Sequence, residues 1–189
     1  MEINKKELIK ELGKGEIAVI PTDTIYGLVG SAKKSKIVEK IYRLKFRNSK
    51  KPLIILIKSI QDLKFFGIKL SKNEFNLLKN LWPGKISIIF PCPYKKFKYL
   101  HRGTKKLAFR LPKKKSLLEI IKKTGPLVAP SANPEGLRPA KNITEAKKYF
   151  GDKIKLYMSQ GKIKSKPSTL IELKKGKIKI LRQGDMIIK

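Results

Sequence analysis

The sequence predicts one domain, residues 1–189, of mixed α/β (α+β) class, with helices packed on a mixed sheet. Three observations carry this. Apolar runs of strand length are interleaved with segments of helical period. The two kinds do not alternate strictly, which argues against a regular doubly wound parallel sheet. The 189 residues, 41% of them apolar, suffice for one core of good size and would crowd a second.

Ile3, Leu8, Ile9 and Leu12 line one face of a short helix expected to end at Gly13. Residues 16–20 read as a buried strand closed by Pro21, followed by Thr22-Asp23-Thr24-Ile25-Tyr26-Gly27. Ser35 is expected to cap a helix with Ile37, Val38, Ile41 and Tyr42 on its apolar face and Glu39 paired to Arg43. Residues 53–57 are continuously apolar, hence an inner strand. Helices follow near 60–66 and 71–82, the second with Phe75, Leu78 and Trp82 on one face and broken by Pro83-Gly84. Strands follow at 85–90 and 106–111. Ser116 with Glu119 reads as a capping box. Residues 127–129 form a short strand, 133–142 a polar loop, and Asn142 with Glu145 opens a helix to Phe150. Strands at 169–173 and 178–182 form a hairpin turning at Lys175-Gly176. The 159–167 loop is the expected mobile element.

Much chemistry is excluded early. The longest aliphatic run, 53–57, is far short of the ~20 residues of a membrane span, and no apolar stretch follows the N-terminus as in a signal peptide. A soluble cytoplasmic protein with no membrane partner is expected. One cysteine and one histidine preclude a disulfide scaffold and a zinc cluster and disfavour a histidine-centred triad. Cys92, between two prolines, reads as an inert thiol and His101 as a solvated loop residue. Four Asp and ten Glu, without D-x-D or H-E-x-x-H, argue against a two-metal nuclease or a glycosidase, and no metal ligands are expected. No Gly-Lys pair has the upstream glycine of a phosphate loop, and Gly13-x-Gly15 precedes a strand instead of following one.

The net charge is +32. It suits a polyanion such as tRNA, rRNA or nucleotides. Yet 40 of the 46 basic residues are Lys, spread evenly, and only six are Arg. Anion readers lean on the planar guanidinium fork, so the lysines read as background and the arginines as the better guide. Polar groups recur at strand ends: Thr22-Asp23-Thr24, Lys45-x-Arg47, Arg110, Ser131-Ala132-Asn133, Ser168-Thr169 and Arg182. Arg110 lies in the apolar run Leu107-Ala108-Phe109-Arg110-Leu111. Buried there it needs an anion, and with so few carboxylates in the chain an anionic ligand is expected to supply it.

In order along the chain stand P-T-D-T-I-Y-G-L (21–28), K-x-R (45–47), P-L-I (52–54), L-W-P-G (81–84), F-R-L-P (109–112), A-P-S-A-N-P (129–134), P-S-T (167–169) and L-R-Q-G (181–184). Each is weak alone; together they resemble the YrdC-like threonylcarbamoyl-AMP synthases, in the short single-domain form without the long form's C-terminal domain. The resemblance implies a twisted mixed sheet with a basic concave ligand cleft. It also implies synthesis of threonylcarbamoyl-adenylate and pyrophosphate from L-threonine, bicarbonate and ATP, with Mg2+ carried by the ATP. The product would feed threonylcarbamoyladenosine modification of tRNA, through tRNA or downstream modification proteins.

Carried over by position, the resemblance makes Lys45 and Arg47 the catalytic cations. Lys45, Arg47, Ser131, Asn133 and Arg182 become the ATP set, and Thr24, Arg110 and Ser168 the threonine set. Thr22 and Tyr26 shape the pocket. Lys45 and Arg47 are expected to be partly exposed. This chain departs from the family pattern in Leu56, where long forms tend to carry a His, and in Lys51, where Asn is frequent. An extra Leu137 precedes Arg138, and residues 159–166 lack an acidic-Gly-Gly turn. The alternatives are a non-catalytic module binding tRNA or double-stranded RNA, and carbamoyl transfer of the hydrogenase-maturation kind.

Overall fold

The computed structural model describes residues 2–174 and 177–188. In chain order the elements are α1 (Lys5–Lys14), β1 (Ala18–Pro21), β2 (Tyr26–Ser31), α2 (Ser35–Leu44), β3 (Ile54–Leu56), α3 (Lys72–Leu81), β4 (Ile86–Pro91) and α4 (Lys98–His101). They continue with β5 (Lys106–Arg110), α5 (Lys115–Thr124), β6 (Leu127–Val128), α6 (Ile143–Phe150), β7 (Leu156–Tyr157), β8 (Thr169–Lys174) and β9 (Lys177–Arg182). The segment Ile60–Phe66 is a 3-10 helix.

The strands form one mixed sheet in the order β7-β1-β2-β6-β3-β5-β4-β8-β9. The pairs β1/β7, β3/β5 and β4/β8 are parallel and the others antiparallel. Side chains alternate across it, as the period of two requires. In β1, Val19 points into one apolar cluster while Ala18 and Ile20 point into the other. Leu8 and Leu12 of α1 with Leu117, Ile120 and Ile121 of α5 cover one face. Val38 and Ile41 of α2, Leu78 of α3 and Ala146 and Phe150 of α6 cover the other. The chain is therefore a sheet between two helical layers, the expected class. Among the described residues no helix is long and apolar enough to cross a membrane.

Several local expectations are corrected. Helix α1 runs past Gly13 to Lys14, because Gly15 at φ 104° supplies the left-handed C-cap. Lys34, not Ser35, stands at the N-cap of α2, and no side chain caps it. Helix α5 begins at Lys115, so Ser116 lies inside it and forms no box; Glu119 instead pairs across the layer with Lys5. His101 is buried at the end of α4, with Nδ1 accepting from the Gly103 amide, and is not a solvated loop residue. Asn142 accepts from the Glu145 amide at the start of α6, as expected. Cys92 is buried, and burial pushes its thiol up, so it stays unreactive. The expected turn at Lys175-Gly176 lies outside the described residues.

Strands β2 and β7 and the short α4 were not expected from the sequence. The β2 strand, Tyr-Gly-Leu-Val-Gly-Ser, is buried along its whole length. Gly30 lets α2 lie against it: a Cβ there would stand 2.5 Å from Ile37 Cγ2.

Candidate active site

A cleft of about 200 Å³ opens among the strand-end loops. It is lined by the β1–β2 turn (Thr22, Thr24), the chain entering β3, Arg110 at the end of β5, Ser131 after β6, Ser168 before β8, and Arg182 at the end of β9. Arg47, beyond α2, completes it.

The turn between β1 and β2 is tied by one hydroxyl. Thr22 Oγ1 donates to Ile25 O (2.6 Å) and accepts from the Thr24 and Ile25 amides (3.2 and 3.3 Å). This presents Thr24 Oγ1, which accepts from Arg110 Nη1 at 3.1 Å.

Arg110 is 4% exposed, as its apolar run implied, but its anion belongs to the chain itself: Asp23 Oδ1 lies 3.0 Å from Nη2. The expectation that an anionic ligand supplies its counter-charge is thus corrected. Asp23 stood in view inside P-T-D-T, and strand–turn geometry, invisible in sequence, brings it across to β5. Lys114 Nζ closes the back of the same turn, donating to Pro21 O (3.1 Å) and Thr22 O (3.5 Å) and reaching Gln160.

The K-x-R segment divides into two roles. Phe46 takes a left-handed backbone (φ 49°) that reverses the chain after α2. Arg47 goes to the cleft, steadied by Lys51 O (2.9 Å) and Pro52 O (3.4 Å). Lys45 goes inward. It is 1% exposed, against the expectation of partial exposure, and its ammonium donates to Ser131 O (2.6 Å) and Asn133 O. It bolts α2 to the loop that carries Ser131. Glu135 clamps the same loops from outside, accepting from Lys51 Nζ (2.5 Å) and the Asn48 amide (2.6 Å). Lys51, a departure from the family pattern, thus has a structural partner.

Burial pushes the Lys45 amine down from 10.5 to about 7, the Arg47 cation adding to this and Glu135 opposing it. Between about 7 and 10.5 the unfolded lysine holds a proton that the folded one has lost. This group's contribution to stability therefore rises with pH across that window, and its charge cost is full below it. In thermal melts at pH 7 to 10, the wild-type advantage over Lys45→Met is expected to grow; a constant gap would contradict this.

Asn133 does not line the cleft. Its amide donates to Pro134 O (2.8 Å) and Leu137 O (2.7 Å), holding the polar loop. Ser168 is 1% exposed and shares a hydrogen bond with the equally buried Ser87 (2.8 Å). Arg182 reaches back to Ser168 O through Nη2 (2.8 Å) and Nε (3.2 Å). Gly184 permits this closeness, since a Cβ would stand 2.2 Å from Pro167 O. Tyr26 is buried away from the cleft. Its hydroxyl accepts from the Gln160 amide (3.0 Å) and donates to Gly161 O (2.7 Å), pinning the 159–167 loop that the sequence marked as mobile. Leu56 is wholly buried in the core beside α5. Arg138 is exposed, and its carbonyl accepts from Tyr149.

The cleft thus gathers three guanidiniums (Arg47, Arg110, Arg182) with the hydroxyl residues Thr22, Thr24, Ser131 and Ser168. Burial pushes Arg110 down, with Asp23 opposing and Arg182 adding, and burial and Arg47 push Arg182 down, although Arg182 as a whole residue is exposed. Guanidiniums so placed keep their charge and repel one another, the electrostatics of an anion site. Among the described residues no cluster of His, Cys, Asp or Glu could hold a metal ion.

A protein-family model described as "Telomere recombination", Sua5/YciO/YrdC, matches residues 10–184. The chain belongs to this family. The threonylcarbamoyl-AMP synthase of Bacillus subtilis (strain 168) is 36% identical over 127 residues, 66% of this chain and 37% of that protein. The threonylcarbamoyl-AMP synthase of Pyrococcus abyssi is 28% identical over 195 residues, 97% of this chain and 57% of that one. The chain therefore spans less than two thirds of the length of these relatives. A crystal structure of P. abyssi Sua5 complexed with L-threonine superposes with a TM-score of 0.87 at 26% identity, covering 97% of this chain and 56% of that one. Seven of the eight motifs quoted from this chain place at least one residue on the cleft wall; L-W-P-G at 81–84 does not.

Proposed function

We propose that this chain is an L-threonylcarbamoyladenylate synthase, joining L-threonine, bicarbonate and ATP into threonylcarbamoyl-AMP and pyrophosphate for tRNA threonylcarbamoyladenosine modification, in the cytoplasm. The observation that carries the reading is the convergence of Arg47, Arg110 and Arg182 on one cleft whose other polar lining is largely hydroxyl. The L-threonine complex of the Pyrococcus neighbour supports it.

The threonine amine adds to bicarbonate with loss of water, giving a carbamate. A carbamate oxygen then attacks the α-phosphorus of ATP and pyrophosphate departs. Attacker and target are both anionic, so the protein must supply positive charge and alignment in place of a nucleophile. Arg110, held by Thr24 and Asp23, binds the threonine carboxylate, with Thr22 and Ser168 beside it. Arg47 and Arg182 face the phosphates, with Ser131 on the loop that Lys45 and Asn133 hold. Magnesium enters with the nucleotide as substrate and needs few protein carboxylates.

The non-catalytic alternative, a tRNA or double-stranded RNA module, rests on the net charge of +32. Pyrophosphate release separates the two. With Mg-ATP it is expected only when L-threonine and bicarbonate are both present, and less with L-serine, which lacks a methyl whose burial contributes about 1 kcal/mol. Release indifferent to threonine would refute the synthase reading.

A further inference from the structure

The pair beneath the cleft is incompletely satisfied. The side chains of Arg110 and Asp23 are 4% and 6% exposed, and their nearest charged atoms stand 3.0 Å apart. Yet Arg110 Nε and both Asp23 oxygens are buried without a well-directed hydrogen bond among the described residues. Buried groups are rarely left so, and each such orphan calls for an explanation. Arg110 lines the cleft, whereas Asp23 does not. The carboxylate is thus a buried partner of the guanidinium and not part of the cleft wall. Arg110 has Thr24 on Nη1 and Asp23 at Nη2, while its Nε is buried without an acceptor.

We propose that Asp23 is a positioning residue: it balances the Arg110 charge when no substrate is bound and holds the guanidinium where it meets the carboxylate of the amino-acid substrate. This rests on the proposed function. Without Asp23 a buried guanidinium loses its counter-ion, and the long side chain is free to swing towards solvent or other anions. Asparagine at 23 keeps the shape and removes the charge. The loss then falls on threonine and not on ATP, because Arg47 and Arg182 are held by other contacts, to Lys51, Pro52 and Ser168.

The test is calorimetric titration of L-threonine and of Mg-ATP into wild type, Asp23→Asn, Asp23→Glu, Arg110→Met and the double variant Asp23→Asn/Arg110→Met. Asp23→Asn is expected to weaken threonine tenfold or more and ATP less than twofold. Asp23→Glu, which restores the charge, is expected to bind threonine more tightly than Asp23→Asn. The double variant is expected to bind threonine no more weakly than Arg110→Met, since Asp23 acts through Arg110. Wild-type affinity in Asp23→Asn, equal losses for both ligands, or a further loss in the double variant would overturn the assignment. If Asp23→Asn does not fold, the double variant, which buries neither charge, is expected to fold; its failure would also overturn it. A wild type that does not bind threonine would refute the proposed function, and this inference with it.

Discussion

Arg110→Lys is expected to lower threonine-dependent kcat/KM by about a hundredfold, nearly as much as Arg110→Ala. An ammonium cannot reproduce the planar fork that meets Thr24, Asp23 and a ligand carboxylate together. The two variants should part in stability. Arg110→Ala strands Asp23 beneath the cleft, and breaking a buried pair by removing one partner costs about 3–5 kcal/mol. For a chain of this size that lowers the melting temperature by about 10 °C. Arg110→Lys keeps a cation near Asp23 and should lose less. Steady-state kinetics with threonine varied, together with thermal melts, check both halves. A lysine variant near wild-type activity would dismiss the clamp.

The second large effect separates Lys45 from Arg47. Arg47→Ala is expected to cut turnover by about a hundredfold with little change in melting temperature. Its guanidinium lines the cleft, and the carbonyls it steadies lie in an exposed loop. Lys45→Ala should lose both activity and stability. It removes the donor to two carbonyls on a buried loop, about 1–3 kcal/mol for each left unsatisfied, and loosens the segment that presents Ser131. Melts of the two variants side by side decide this. Equal melting temperatures would show that Lys45 does not bolt the loop.

These two residues also show where sequence stops. Both sit in K-x-R just past an amphipathic helix, and nothing in the spacing tells which one turns inward. The left-handed Phe46 decides that, and it leaves no signature in a non-glycine residue. Strands 53–57 and 106–111 were legible because their apolar runs, 53–57 and 107–109, are of strand length and largely buried. Strand β2 was not, because Gly27 and Gly30 weaken its strand pattern, although in the fold they permit close packing of α2 and of the Thr22 turn. The capping serines misled for a physical reason: Ser35 and Ser116 sit one and two positions inside helices whose N-caps are lysines at 34 and 114. The burial of Arg110 followed from its apolar neighbours, but its partner came from another strand connection 87 positions earlier in the chain. Sequence proximity cannot report such a contact. The loop at 159–167 lacks periodicity, so only the fold reveals that Tyr26 and Lys114 tie it down.

The most direct measurement of the central claim is the fate of the bicarbonate carbon. The purified chain would be incubated with L-threonine, Mg-ATP and carbon-13 bicarbonate, quenched at once and examined by mass spectrometry. The expected result is threonylcarbamoyl-AMP one mass unit heavier than with ordinary bicarbonate, formed in step with pyrophosphate and strongly reduced in Arg110→Lys. Pyrophosphate with no labelled adenylate, or an adenylate carrying no label, would contradict the account.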